Sequence, residues 1–194
     1  PWGQKDVPYP ECPQPSLVQI DQPCVIVGNG PGVLRTKMGA TIDTFPQVVR
    51  INAYHTTGFE EHTGRKTTLH ATHGKEGGFS QEAPVDRKLW LHQHATLPVA
   101  ESWAVPQTFF WGLVKDWGTG RSVLPSSGFV ATAWLLEQGV PCIHLAGFDH
   151  FGKSQSGLHH YWDGFAKTQP KEHSPEREQA MFEKWCCEGR VVYL

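Results

Sequence analysis

The stretch CVIVGNGPG, residues 24–32, determines the predicted fold. It opens with four apolar residues, most of them β-branched, and runs directly into three glycines, which is the pattern of a buried strand followed by a tight loop. In an open sheet of parallel strands, such a loop lies at the carboxyl end of its strand, where these sheets bind ligands. The stretch therefore predicts a buried parallel strand that presents a glycine loop at a ligand-binding edge.

Strand and helix patterns alternate along the rest of the chain. Further strands are predicted over residues 47–52, 67–72, 88–92, 142–145 and 190–194. Helices are predicted over residues 99–117, with an interruption at Pro106, over 128–138 and over 174–188, and a glycine follows each of the last two. This alternation favours a single α/β domain with a Rossmann-like, mostly parallel sheet flanked by helices on both faces.

The composition disfavours two large classes of binding surface. The 194 residues carry 17 lysines and arginines against 19 aspartates and glutamates, a net charge of −2, so no basic excess supports a broad grip on nucleic acid or anionic lipid. No apolar run approaches the roughly 20 residues of a membrane helix. Residues 1–23 are rich in proline and lack a strand or helix period, which predicts an extended arm before a folded domain over residues 24–194.

The glycine loop is compatible with more than one role. A dinucleotide-binding unit has the spacing GxGxxG and an acidic residue about 20 positions further on. Here the spacing is GxGxG, Pro31 removes one donor amide, and the second strand ends in Arg50-Ile51-Asn52 without a carboxylate. These departures disfavour a nicotinamide cofactor. A nucleotide site and a tight turn without a ligand both stay open.

A second candidate site precedes the predicted helix 128–138. The segment LPSSG, residues 124–128, places two serines where a helix N-cap is expected, since a serine hydroxyl satisfies the unpaired amides of a first turn. The same amides, together with the helix dipole, also favour a phosphate or a carboxylate. A simple N-cap and an anion site both stay open.

Histidines number 11, and several occur in clusters. The clusters are His70 with His73, His92 with His94, and the run HHYWD at residues 159–163. On a strand His92 and His94 would share a face, but no glutamate or cysteine pattern completes a metal site around them. We therefore expect no bound metal.

His173 lies just before a predicted helix. Ser174 is a suitable N-cap and Pro175 a suitable first helical residue, so His173 should lie on the loop outside the helix N-terminus. Loops of this kind often carry a catalytic base, and a helix N-terminus favours the neutral imidazole that can accept a proton. His173 is therefore a candidate general base.

The cysteine count is odd and moderate. The five cysteines are Cys12, Cys24, Cys142, Cys186 and Cys187. No CxxC pair occurs, so a structural zinc site is not expected. One or two disulfides in an oxidising compartment and free thiols in a reducing one are both compatible with this count.

Together these segments resemble glycosyltransferase family 29, the sialyltransferases of eukaryotes and their bacterial relatives. Residues 24–30, 42–43, 49–52, 58–61 and 64–67 are similar in order and spacing to the large motif of that family. Residues 125–128 with 147–148 resemble its small motif, 160–163 its third motif, and His173 with Glu178 the His-x4-Glu of its very small motif. The ordered set covers most of the chain.

The resemblance implies a GT-A-like fold and an inverting, metal-independent transfer of sialic acid, or of the related sugar Kdo, from a CMP donor to a glycan hydroxyl. The implied partners are the CMP-sugar and the glycan acceptor, with no cofactor and no nucleic acid, and with a membrane only through an anchor outside this sequence. The absence of an Asp-x-Asp motif and the single phosphate of the leaving group agree with a reaction that needs no divalent ion. The implied location is the Golgi lumen or else a bacterial cytoplasm.

The resemblance also implies roles for individual residues. His173 is the general base, and His160 donates to the departing phosphate. The implied donor-binding residues are Asn29, Gly30, Asn52, Ser126, Ser127, Gly128 and Tyr161. Glu178 supports His173, and a disulfide between Cys24 and Cys142 is expected under oxidising conditions.

Two alternatives from other classes stay open. The first is a nucleotide- or dinucleotide-binding protein of the Rossmann type, and the second is a catalytically silent relative that binds glycans. Comparing the binding of CMP and NAD separates the first from a transferase, and donor hydrolysis separates the second.

Overall fold

The computed structural model describes residues 22–74, 87–91, 101–117, 123–150, 159–163 and 173–194. Its strands, β1 to β7, are Cys24–Val27, Gln47–Ile51, Leu69–Thr72, Arg87–Trp90, Glu101–Ala104, Ile143–Ala146 and Val191–Tyr193. Its α-helices, α1 to α5, are Gly39–Thr44, Glu60–Thr63, Gln107–Asp116, Ser127–Glu137 and Pro175–Cys187. A short 3₁₀ helix, Pro31–Arg35, follows the glycine loop.

The strands form one sheet in the order β5-β4-β3-β2-β1-β6-β7, and every neighbouring pair is parallel. The strand order reverses at β1, where Cys24 pairs with Gln47 of β2 on one side and with Ile143 of β6 on the other. Because parallel strands run in the same direction, the loops that follow β1, β2 and β6 lie at one edge of the sheet. This edge, beside the point of reversal, is where such sheets bind ligands.

Successive residues of β1 pack into different layers. Cys24 and Ile26 belong to a large core that includes side chains of α3, α4 and α5, whereas Val25 and Val27 belong to a smaller core that includes Ile42 of α1. This alternation is that of a strand covered on both faces. The sheet is therefore a middle layer between helices, as predicted.

Aromatic packing holds α4 against α5. Phe129 of α4 contacts Phe182 and Trp185 of α5, with ring centroids 5.6 and 5.3 Å apart. Phe129 and Phe182 are fully buried, and aromatic pairs at this spacing add stability beyond the area that they bury. The N-termini of the two helices are thereby fixed relative to each other.

Most of the strand and helix predictions are confirmed to within a few residues. The predicted helix over residues 99–117 is wrong in its first part, where β5 pairs with β4 and α3 begins only after Pro106. A proline restricts the residue before it to extended conformations, which favours a strand ahead of Pro106. Helices α1 and α2 were not predicted, because six and four residues are too few for an amphipathic pattern.

Several predictions fall outside the described residues. They concern residues 1–21 of the predicted arm, Cys12, and the pair His92 and His94. Within the part of the chain that the structure describes, no helix has the length and apolar character to cross a membrane.

Candidate active site

The glycine loop after β1 packs closely against the loop after β6. The Gly30 amide donates to the Gly147 carbonyl at 2.9 Å, and the Gly32 amide donates to the Asp149 carboxylate at 2.6 Å. A methyl group at Gly28 or Gly30 would lie 2.7 or 2.6 Å from the Gly147 oxygen, so no side chain fits at either position. The glycines are therefore required first of all by the contact between the two loops.

This contact involves one residue that the sequence singled out and one that it did not. Gly30 was expected to bind a donor; its amide is paired with Gly147, and its role in donor binding stays a prediction. Asp149 was not singled out from the sequence, because its partner Gly32 lies 117 positions away along the chain. A contact of this range leaves no local pattern.

Asn29 links the ends of β1 and β2. Its side-chain nitrogen donates to the carbonyls of Ile51 and Ala53, at 2.9 Å each. Only an amide NH2 can serve two carbonyl acceptors, so these contacts fix the amide orientation and turn Oδ1 away from both. Asn29 therefore offers an acceptor, and not a donor, to a ligand at this edge.

Asn52 follows β2 in a left-handed backbone conformation, with φ at 48°. Its N–H donates to the Ala71 carbonyl at 2.8 Å, and its own carbonyl accepts from His70 Nε2 at 2.8 Å. Its Oδ1 accepts from the His73 amide at 3.0 Å. Because Oδ1 is engaged, the side-chain NH2 is the group that faces a ligand. Asn29 and Asn52 thus present opposite polarities at neighbouring strand ends.

His70 is a buried histidine on β3, only 4% exposed, and its ring lies edge-on to Tyr54 with centroids 5.4 Å apart. A carbonyl can only accept, so Nε2 carries the proton in the bond to Asn52. Burial lowers the pKa of His70 to about 4; the bond to Asn52 opposes this shift and the charge of Lys88 adds to it. The ring is therefore neutral near pH 7.

Arg50 of β2 is fully buried. In the sequence it was noted because the end of this strand carries no acidic residue. Its Nε donates to the Lys66 carbonyl at 3.1 Å and to Thr67 Oγ1 at 3.0 Å, and its NH2 group donates to the Thr63 carbonyl at 2.8 Å. Hydrogen bonds of this kind offset the cost of burying a polar group. Arg50 therefore holds the segment after α2 against the sheet.

Tyr161 anchors the third-motif segment to the glycine loop. Its amide donates to the Asn29 carbonyl at 3.0 Å, its hydroxyl donates to the His55 carbonyl, and the His55 amide donates back to that hydroxyl at 3.1 Å. Phe59 packs against the ring with centroids 5.0 Å apart, and Tyr161 is 3% exposed. The hydroxyl is thus engaged by His55, and the expected role of Tyr161 in donor binding stays a prediction.

His160 is held by two neighbours in its own turn. Its amide donates to Asp163 Oδ2 at 2.7 Å, its Nδ1 lies 3.3 Å from the same oxygen, and its ring stacks on Trp162 with centroids 4.7 Å apart. The carboxylate stabilises a positive charge on the ring. His159, His160 and Asp163 also bring one ligand atom each within 4.8 Å of one another, a geometry that could hold a metal ion.

Ser126 caps α4 and also hydrogen-bonds the side-chain carboxylate of Glu178. Its hydroxyl accepts from the Phe129 amide at 3.2 Å and donates to Glu178 Oε2 at 2.6 Å, and its N–H donates to Glu178 Oε1 at 2.6 Å. A carboxyl group does lie at this helix N-terminus, where the LPSSG segment allowed an anion, and it comes from α5. Glu178 engages both the amide and the hydroxyl of Ser126, and the expected contact between Ser126 and a donor stays a prediction.

The two residues after Ser126 differ in what surrounds them. An added methyl group at Gly128 would lie 2.8 Å from the Phe148 ring, so the small residue is required by packing. Ser127 is the first helical residue of α4 and is only partly buried. Its role in donor binding stays a prediction.

His173 and Glu178 join the last motif to the small motif. His173 lies one residue before the N-cap Ser174, as predicted, and its Nδ1 donates to the Leu124 carbonyl at 2.9 Å. In the neutral ring the lone pair therefore lies on Nε2, as a base requires. Glu178 is 2% exposed; burial raises the pKa of its carboxyl, and the hydrogen bonds from Ser126 and the charge of His173 oppose that rise.

Cys24 and Cys142 are free thiols in this structure, and the disulfide expected between them under oxidising conditions stays a prediction. Cys24 pairs in register with Ile143, the residue after Cys142. Burial raises the pKa of Cys24 to about 12, which makes it an unreactive core residue.

These contacts join the motif segments to one another. Residues 28–32 contact the loop 147–149 and the turn that contains Tyr161, while Ser126 contacts Glu178 and Leu124 contacts His173. The first group lies where the strand order reverses. The fold is that of an α/β protein with one parallel sheet, and its carboxyl edge is the candidate ligand site.

Comparison with known proteins finds similarity to one family. Residues 12–94 match the family model of glycosyltransferase family 29 (sialyltransferase). The chain is 45% identical to the CMP-N-acetylneuraminate-beta-1,4-galactoside alpha-2,3-sialyltransferase of Homo sapiens over 65 residues, which are 33% of this chain and 17% of that protein. It is 49% identical to the type 2 lactosamine alpha-2,3-sialyltransferase of Mus musculus over 47 residues, 24% of this chain and 14% of that protein. Over these segments the chain is similar to the family 29 sialyltransferases, which supports the resemblance seen in the sequence, and the matches span less than a fifth of each curated relative's length.

Solved structures share the fold. A mammalian sialyltransferase superposes with a TM-score of 0.66 at 21% identity, over 89% of this chain and 68% of that one. The sialyltransferase CstII from Campylobacter jejuni, solved with the substrate analogue CMP-3FNeuAc, superposes with a TM-score of 0.56 at 14% identity, over 89% and 81% of the two chains. The likeness covers the parallel sheet and the helices that flank it.

Proposed function

We propose that this protein is an inverting, metal-independent glycosyltransferase that moves sialic acid from a CMP donor to a glycan hydroxyl. The family match supports the class, and the names of the curated relatives favour sialic acid over Kdo. The observation that carries the proposal is the direct contact among the segments that resemble the family motifs. The free CMP product fits a site that offers both an acceptor and a donor at the strand ends.

His173 is the general base in this mechanism. The acceptor hydroxyl gives its proton to Nε2 while its oxygen bonds to the anomeric carbon of the sugar, and the bond from that carbon to the CMP phosphate breaks on the opposite side. His160 donates to the departing phosphate oxygen, and Asp163 beside it stabilises the cationic ring. Attack opposite the leaving group inverts the anomeric configuration.

Asn29 and Asn52 bind different groups of the CMP-sugar, because one offers a hydrogen-bond acceptor and the other offers a hydrogen-bond donor. Phosphate oxygens only accept hydrogen bonds, so they suit the NH2 group of Asn52. Ribose hydroxyls and the cytosine amino group can donate, so they suit Oδ1 of Asn29. The amide orientations given by the hydrogen bonds to the strand ends support this assignment.

Substitutions at Asn52 test the proposal. Asn52→Ala removes one hydrogen bond to an anion and should weaken CMP binding by about tenfold, with about a hundredfold as the upper range. Asn52→Asp keeps the acceptor for His73 but places a carboxylate oxygen beside the phosphate, so its loss should be at least as large. Isothermal titration with CMP measures both, and Gln179→Ala on the exposed face of α5 is the control. If CMP affinity were unchanged in both variants, the glycine loop would be interpreted as a tight turn that binds no ligand.

Chelation tests the proposed metal independence. Treatment with EDTA should leave transfer from the CMP donor within about twofold of the untreated rate, because a required metal normally supplies several kcal/mol to the transition state and its removal would cost far more. The assay compares treated and untreated protein and adds back Mn²⁺, Mg²⁺ or Zn²⁺. A loss of activity that one of these ions restores would overturn the proposal. The metal would then be expected at His159, His160 and Asp163.

Two further measurements separate the alternatives. Thermal stabilisation by NAD and not by CMP would assign the chain to the dinucleotide-binding class. Stabilisation by neither, with no hydrolysis of a CMP-sugar, would indicate a catalytically silent relative. The proposal requires stabilisation by CMP together with turnover of the donor.

A further inference from the structure

The conformation of Asn52 needs outside support. Its φ of 48° lies in the left-handed region, which side chains other than glycine rarely occupy. This conformation turns the chain at the end of β2 and directs the Asn52 side chain beside the strand end. Any group that holds the backbone there also determines where the side-chain amide lies.

The neighbouring strand supplies three hydrogen bonds to Asn52. Two come from the main chain of β3 and its exit, through the Ala71 carbonyl and the His73 amide, and they extend the β2–β3 pairing of Ile51 with Ala71. The third comes from a side chain, since His70 Nε2 donates to the Asn52 carbonyl at 2.8 Å. His70 therefore satisfies the one main-chain group of Asn52 that these two pairs leave unpaired.

The surroundings of His70 suit a fixed, uncharged donor. Arg50 of β2 and Lys88 of β4 pair in register with His70 on either side, so a proton added to the ring would meet two cations on the same face of the sheet. Tyr54 packs edge-on against the ring and is itself 3% exposed. These contacts hold the ring with Nε2 directed at the Asn52 carbonyl.

We propose that His70 is a positioning residue for the donor site: its ring N–H holds the Asn52 main chain so that the Asn52 NH2 stays at the sheet edge. The inference rests on the proposed function for the identity of the ligand, and on the Asn52 contacts alone for the positioning itself.

A double-mutant cycle tests whether His70 acts through Asn52. His70→Phe keeps a planar ring without a donor and should weaken CMP binding by about tenfold, the usual value of one lost hydrogen bond. His70→Gln retains an N–H at similar reach and should stay within about threefold of the original affinity. In an Asn52→Ala background, His70→Phe should change CMP affinity by less than about twofold, because its effect passes through the residue already removed. Additive losses in the cycle would overturn the proposal.

Nuclear magnetic resonance separates this proposal from the proposed function. The Cα and Cβ chemical shifts of Asn52 report its backbone conformation without any ligand. They should move to values of negative φ in His70→Phe and stay unchanged in His70→Gln; unchanged shifts in both would overturn the positioning role. If the original protein does not bind CMP, the proposed function fails, and the shifts still decide the role of His70. Should His70→Phe not fold, His70→Leu takes its place in both experiments.

Discussion

Replacing His173 by alanine is expected to lower kcat by about 10²–10⁴-fold, the usual range for loss of a general base, with little change in donor affinity. The bond from Nδ1 to Leu124 fixes the tautomer, so the lost group is specifically the Nε2 lone pair that receives the acceptor proton. The acidic limb of the kcat/KM profile, which reports protonation of the free base, should disappear in the same variant. Steady-state kinetics across pH and calorimetry with CMP measure these effects.

A matched control for His173 is His62. Its Nδ1 also hydrogen-bonds a carbonyl, that of Thr36 at 2.5 Å, but it lies on α2 and has no place in the mechanism. His62→Ala should therefore keep kcat close to the original value. If His173→Ala retained its rate while His160→Ala lost all activity, the two histidines would have to exchange roles.

Replacing Glu178 by alanine is expected to lower the free energy of unfolding by about 2–5 kcal/mol, because two partly buried donors of Ser126 each lose an acceptor. The same change should lower kcat, since Glu178 ties the helix that begins beside His173 to the N-terminus of α4. Glu178→Gln keeps an acceptor for the Ser126 amide and should lose about half as much stability. Urea unfolding gives the stabilities, and kcat is measured on protein shown to be folded.

Glu183 provides the comparison for Glu178 on the same helix. It is exposed, and among the described residues its carboxylate hydrogen-bonds only the side chain of Gln179, so Glu183→Ala should change stability by less than about 0.5 kcal/mol. A Glu178→Ala variant as stable as Glu183→Ala would show that the contact between α4 and α5 is held by the aromatic side chains and not by the carboxylate.

Local patterns account for what the sequence predicted well. The apolar run at residues 24–27 and the glycines after it define β1 and its loop. Helices α4 and α5 begin directly after the predicted N-caps Ser126 and Ser174. Each of these signals is contained in a few neighbouring residues. The resemblance to a family extended them to roles for Asn29, Asn52 and His173 that no periodicity contains.

Long-range pairing accounts for what the sequence did not predict. The carboxylate at the N-terminus of α4 comes from Glu178, which lies 52 positions from Ser126. The pairing of Cys24 with Ile143 also joins residues about 120 positions apart, and this register is set by the whole sheet. Residues 101–104 were predicted to be helical but form the edge strand β5, because they pair with β4.

The reversal of strand order at β1 also determines when the protein can finish folding. β1 pairs at Cys24 with Ile143, about 120 positions later. The central strand can therefore form its pairing with β6 only after most of the chain has been made. Contacts this distant in sequence slow folding, and the apolar residues of β1 are open to association in the meantime. During synthesis β2 to β5 emerge before β6, so the loop 147–149 that closes against the glycines is made late. The ligand edge is accordingly assembled only after the rest of the sheet has begun to form.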